Sequence, residues 1–163
     1  MTAYLYRAPA GIAGSITRVD QTSVESGYLA SSGAPTAFGQ PVKVVSGKFA
    51  LMGASSAAAD FYGVVTRIVP AIGGSGETLA DGAPQANQLQ GIAVRGYVNV
   101  LCGVGTPARG GAVYVRVVDG GAGKPVGQFE ATADGVNNVL LTNVVWASDG
   151  KDSDNNAEIR IAR

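Results

Sequence analysis

Ala112-Val113-Tyr114-Val115-Arg116-Val117-Val118, followed by Asp119-Gly120-Gly121-Ala122-Gly123-Lys124, is the clearest structural signal in the chain. The seven residues alternate, with Tyr114 and Arg116 on one face and Val113, Val115 and Val117 on the other, which is the period of a half-buried strand. The glycines behind them supply a turn. The same style continues downstream. Val126 to Ala131 is a short strand, Asp134-Gly135 marks a hairpin-type turn, Val139 to Ala147 is a strong strand, and Ala157 to Ile161 is the last. Upstream, Gly91 to Leu101 (GIAVRGYVNVL) is strand-like, and its Arg95-Gly96 step predicts a bulge or a close backbone approach.

Earlier in the chain, Pro41 to Val45 and Lys48 to Met52 read as two strands around a Ser46-Gly47 turn. Phe61 to Val69 is a further strong strand. Ala54 to Asp60 carries the only helical bias, for two turns or fewer. Gly73-Gly74-Ser75-Gly76 and the polar run Gln85 to Gln90 predict a long exposed loop over 70–90. Strands at intervals of roughly 8–12 residues, with turns between them, predict an antiparallel sandwich or barrel. Without long helices between the strands, the pattern argues against a parallel α/β sheet. The expected fold is therefore all-β, an antiparallel β-barrel or sandwich of jelly-roll type with little helix. Whether the strands close into one barrel or form two packed sheets stays open. Residues 1–30 read as an extended N-terminal arm and 31–163 as the barrel or sandwich domain. In the arm, Pro9, Gly11 and Gly14 interrupt regular structure, and only Ser15 to Val19 alternates. Such an arm gains order from a neighbouring surface, its own barrel or another subunit.

Composition narrows the function. The chain has 24 glycines in 163 residues and no histidine; that glycine content is about double the usual ~7%. Absence of histidine removes the commonest general base and metal ligand. Charged residues are 15% of the chain, against about 25% in a typical domain, so few groups remain for chemistry. The reading is a non-enzymatic structural protein with no cofactor and no metal. Formal net charge is zero, which gives no field to draw in nucleic acid or an anionic membrane. With 46% hydrophobic residues, little keeps free copies apart, as expected of a subunit that associates. No signal peptide is read in Met1 to Pro9 and no membrane span along the chain, so a soluble protein made in the cytoplasm is expected.

Three motifs are weighed and set aside. Gly103-Val104-Gly105-Thr106-Pro107-Ala108 matches a dinucleotide fingerprint, but that chemistry needs a helix opening from the loop, and a strand begins at Ala112 instead. Asp152-Ser153-Asp154-Asn155-Asn156 resembles half a calcium loop, yet the later glycine and glutamate are replaced by Ala157 and Arg163. A hairpin tip is the better reading. Cys102, the single cysteine, lies in an apolar run and reads as a buried small hydrophobe.

A series of stretches taken in order carries more. Tyr6-Arg7-Ala8-Pro9-Ala10-Gly11, Pro35-Thr36-Ala37-Phe38-Gly39-Gln40-Pro41-Val42-Lys43 and Phe61-Tyr62-Gly63-Val64-Val65-Thr66-Arg67 come first. Val94-Arg95-Gly96-Tyr97-Val98, then Gly105 to Arg116 and Val126 to Ala131, follow. Together they resemble the structural cement, or capsid decoration, proteins of tailed bacteriophages. The resemblance implies a virion protein on the outer capsid surface that bridges neighbouring major capsid proteins and resists internal DNA pressure. It implies as partners the major capsid protein and neighbouring copies of the chain itself, as dimer or trimer, with no direct nucleic-acid or membrane contact. Tyr4, Leu5, Tyr6 and Arg7 are the candidate docking residues of the arm, since aromatics and arginine dominate interface hot spots. The alternative is that they form an edge strand of their own barrel. Arg67, Arg95 and Arg109, at strand ends or turns, are candidates to pair with capsid carboxylates, against simple solvation. A tail- or baseplate-associated structural adaptor is the rival function; copy number in the virion separates the two. A β-sandwich enzyme or carbohydrate-binding module is disfavoured by the absence of a nucleophile with its base.

Overall fold

Ser46 and Gly47 both take positive φ, 50° and 77°, the geometry of a two-residue hairpin turn whose twist suits the strands it joins. In the computed structural model, which describes residues 11–67 and 83–162, this turn links β2 (Pro41–Val45) to β3 (Lys48–Leu51). The hairpin lies where the sequence puts it. The remaining strands are β1 (Ser23–Tyr28), β4 (Gly63–Val65), β5 (Leu89–Val104), β6 (Ala112–Arg116), β7 (Phe129–Glu130), β8 (Asn138–Trp146) and β9 (Asn156–Ile161). Among the described residues helix is limited to two 3-10 turns, Val19–Gln21 and Ala58–Asp60. The second falls in the stretch with helical bias, where the Asp60 carboxylate accepts the Ala57 N–H at 2.8 Å.

The all-β barrel expectation holds, and the strands close. β5 pairs with β9, β9 with β8, β8 with β6, and β6 with β7, all antiparallel. β7 then returns to β5 in a parallel pairing, Cys102 opposite Phe129, and completes a five-stranded ring. That parallel pairing, like the parallel Leu29–Phe49 bridge, departs from the wholly antiparallel expectation; β7 reaches β5 after a loop crossover rather than a hairpin. The first half of β5 belongs to a second ring. There it pairs with β1 and β4, β4 with β2, and β2 with β3, while Leu29 just beyond β1 bridges Phe49 of β3. The 16-residue β5 is thus a shared wall.

Two apolar cores fill the molecule, and Met52, Phe61, Val64 and Ala93 carry the larger one past the first ring. Val98, Val100, Val115, Phe129, Leu141 and Trp146 are buried in the larger one. Phe38, Val42, Val65, Ile92 and Val94 fill the smaller, with Phe49 and Tyr62 packed against them. Each such side chain contributes about 1.5–3 kcal/mol when removed from water. Cys102 is fully buried in the larger core, and burial pushes its thiol pKa up, as suits a packing residue rather than a nucleophile.

β5 passes from one ring to the other at Gly96, whose φ is +106°. A Cβ there would collide with the Gln21 carbonyl oxygen and the Thr22 Cα. The close approach read from Arg95-Gly96 is realised against the segment just before β1. Three strand readings change in detail. Phe61 to Val69 yields only Gly63–Val65 as strand, with 68 and 69 outside the described residues. Ser15 to Val19 gives a single bridge, Ile16 to Val98, rather than a strand. Ser23–Tyr28, within the stretch read as arm, adds to β5 instead. Residues 1–10, which hold the candidate docking residues, lie outside the described residues.

Candidate functional site

Arg116 and Glu130 come from neighbouring strands β6 and β7, and both side chains are almost wholly buried, at 1% and 0% exposure. Arg116 Nε donates to Glu130 Oε1 at 2.6 Å and its Nη2 to Glu130 Oε2 at 3.2 Å, a two-pronged grip. The same Nη2 donates to Asp134 Oδ2 at 2.6 Å. Asn138 Nδ2 donates to Glu130 Oε2 at 2.6 Å and to the Thr132 carbonyl at 2.9 Å. The Arg116 guanidinium, followed by a hydrogen bond from Asn137, holds the Asp134 carboxyl below the usual carboxylate range. Alternation places Arg116 on the face of Tyr114, but not under a cover; Glu130 is the signal that it is paired rather than solvated. This network ties the 131–138 turn to the barrel wall, a structural task.

The basic surface lies elsewhere. Arg95, exposed on β5, lines a cleft of about 670 Å³ with Asp20, Thr22, Tyr97 and Arg160. β1 begins opposite Arg95 and β9 ends opposite Gly96, so the cleft opens where β5 exchanges partners. Arg160 sits directly opposite Tyr97 in the β5–β9 ladder. Both also line an adjoining recess of about 190 Å³ with Arg18 and Arg109. Arg18 stacks on the Tyr97 ring, Cζ 3.9 Å from its centroid, and pairs with Glu158 at 3.2 Å. Arg109 pairs with Asp149 at 3.6 Å, both side chains largely in water, and its backbone N–H donates to the same carboxylate at 2.9 Å. Solvent screening leaves such an exposed pair little net energy.

Arg95 and Arg109 therefore share one surface, joined through Tyr97 and Arg160. Arg67 does not join them. Its guanidinium stacks on Phe38 at 4.6 Å and lines a different groove with Gly11, Ile12 and Leu101. Sequence reading missed Arg18, Tyr97 and Arg160 as surface partners. The Glu158-Ile159-Arg160-Ile161 alternation already points Arg160 away from the core, but its meeting with Arg95 depends on a ladder between distant segments.

The motifs set aside have local roles. Gly103 and Val104 end β5, and Gly105 to Ala108 begins the connection towards β6, with Gly105 at φ +82°. Asp152 Oδ1 accepts the N–H groups of Asp154 and Asn156 at 3.0 and 2.8 Å, which caps its own turn.

A double-ringed β-barrel with Arg116 and Glu130 paired inside it and Arg18, Arg95, Arg109 and Arg160 at its rim defines a structural module that presents surface. The comparisons give the class a family. The family model of the XM1 gp53 minor capsid protein matches residues 1–161, and the chain belongs to that family. Its fold is shared with a chain in the solved structure of the capsid of Myoviridae phage XM1, at 17% identity and a TM-score of 0.71. That alignment covers 99% of this chain and 96% of the other. Among curated proteins nothing matches.

Proposed function

We propose that this chain is a capsid cement protein, a non-catalytic component that binds the outer surface of the assembled head. It bridges neighbouring major capsid proteins and stabilises the shell against the pressure of packaged DNA. The observation that carries this reading is membership of a minor capsid protein family along residues 1–161. The barrel supports it physically. Closed rings remove most sheet edges, so the module stays soluble and folded before it meets the shell. A weak contact repeated over a symmetric surface then adds up through multivalency. In this reading Tyr4, Leu5, Tyr6 and Arg7 dock on a neighbouring protein, and the arginines of the barrel rim, Arg95 and Arg109 among them, meet capsid carboxylates. Arg67 offers its charge from the separate groove beside Phe38.

Co-sedimentation with empty, undecorated shells of its own phage tests the proposal. Saturable binding at a simple ratio to the major capsid protein, with shells surviving more heat, is the expected result. A few copies per shell, or none, would leave the tail- or baseplate-associated adaptor in its place.

A further inference from the structure

The cleft between β1 and the end of β9 has an unusual charge arrangement for a chain with zero formal net charge. Arg95 and Arg160 both line it, and among the described residues neither has an ionic partner or a side-chain hydrogen bond. Their neighbours are differently placed: Arg18 is held by Glu158 and Arg109 by Asp149. Asp20 is the single carboxylate among the cleft's lining residues. Two guanidiniums facing one polar cavity repel each other, and a carboxylate between them relieves that repulsion while accepting paired N–H donors. The floor is closely packed: a Cβ at Gly96 would collide with Gln21 and Thr22, and the Tyr97 N–H donates to Thr22 Oγ1 at 3.1 Å. A preformed cleft loses little entropy when it is filled.

We infer that this cleft is the docking site for an extended acidic peptide segment of the neighbouring shell protein, with its carboxylates held by Arg95 and Arg160. The inference rests on the cement reading for the identity of the neighbour, but the chemistry of the cleft stands apart from it. A nucleic acid is the other polyanion to consider. A long phosphate backbone needs a basic track, whereas here the positive groups are confined to one place and Asp20 flanks them; the molecule as a whole has no field to hold it.

The test uses the full chain. Arg95→Ala/Arg160→Ala removes both donors from an exposed rim, and Lys48→Ala/Lys124→Ala removes the same charge elsewhere, at the start of β3 and in the 119–124 turn. Each is titrated onto undecorated shells, and a circular dichroism melt checks folding. The arginine variant is expected to bind at least tenfold more weakly than wild type, and the lysine variant as wild type does. In parallel, a capped synthetic Glu-Ser-Glu-Ser-Glu peptide is followed by amide chemical shifts at Arg95, Tyr97 and Arg160. Shifts there that vanish in the arginine variant, and are absent with the Gln-Ser-Gln-Ser-Gln peptide, support the cleft. Equal shell binding by the arginine and wild-type proteins overturns it while leaving cement function intact. Failure of the wild type to bind shells overturns the cement reading, and the peptide result then decides the cleft alone. An oligonucleotide that shifts the same amides more strongly than the acidic peptide overturns the peptide assignment.

Discussion

Arg116 shows how a single charged residue can stabilise an apolar wall. Glu130 and Asp134 accept from its Nε and Nη2, while Asn138 donates to Glu130 beside it, so removal of Arg116 strands the Glu130 carboxylate in a dry setting. Arg116→Ala is expected to cost about 3–5 kcal/mol, read as a lower urea midpoint. The paired change Arg116→Met/Glu130→Leu should lose much less, because no buried charge is left over. Asp134 adds a pH dependence. Its folded pKa is depressed, chiefly by Arg116, so its contribution is complete above the unfolded value of about 3.9. The contribution is lost as pH falls from there through the folded value. Asp134→Asn should flatten the stability profile below about pH 4; parallel profiles for variant and wild type would remove this role. At Gly96, a side chain meets backbone on the other wall and a positive φ together. Gly96→Ala should cost about 1–3 kcal/mol from the backbone strain alone, and each kcal/mol lowers Tm by roughly 2–4 °C in a chain of this size.

β7 is two residues long, yet it carries the closure of the β5–β9–β8–β6–β7 ring. Phe129 is 1% exposed, and Ala131 N–H donates to the Val104 carbonyl at 2.8 Å just past the strand. Phe129→Ala should cost about 3–5 kcal/mol, with hydrogen exchange rising at Ala131 well before it rises in the β2–β3 hairpin. The hairpin was legible to within a residue because its signal is local: two apolar runs around Ser46-Gly47. β6, β8 and β9 were legible for the same reason. β1 was not, because Ser23-Val24-Glu25-Ser26-Gly27-Tyr28 is mostly exposed and is a strand only by pairing with β5. Val126 to Ala131 shortens because Gly127, at φ +81°, turns the chain before Phe129. The candidate site divides in the same way. Arg95 and Arg109 were visible as turn or strand-end cations, while Arg18 and Arg160 join them only through the β5–β9 ladder and the packing of residues 16–22. No property of Arg160 alone discloses its neighbour.

The two rings sharing β5 hold both apolar cores, and the proposed docking aromatics are not among the described residues that build them. Deleting residues 1–9 should therefore weaken shell binding at least tenfold while leaving the melting temperature unchanged, read by co-sedimentation and by a calorimetric scan. A fall in Tm on deletion would assign those residues to the barrel instead. Zero net charge fits the same division, with association set by particular contacts rather than by a long-range field. The most direct test of cement function is a cryo-electron microscopy reconstruction of shells from its own phage, with and without saturating amounts of the protein. The account predicts difference density of the two-ring barrel on the outer surface, repeated over the junctions between neighbouring major capsid proteins. Density confined to the tail vertex, density inside the shell, or no difference at all would contradict it.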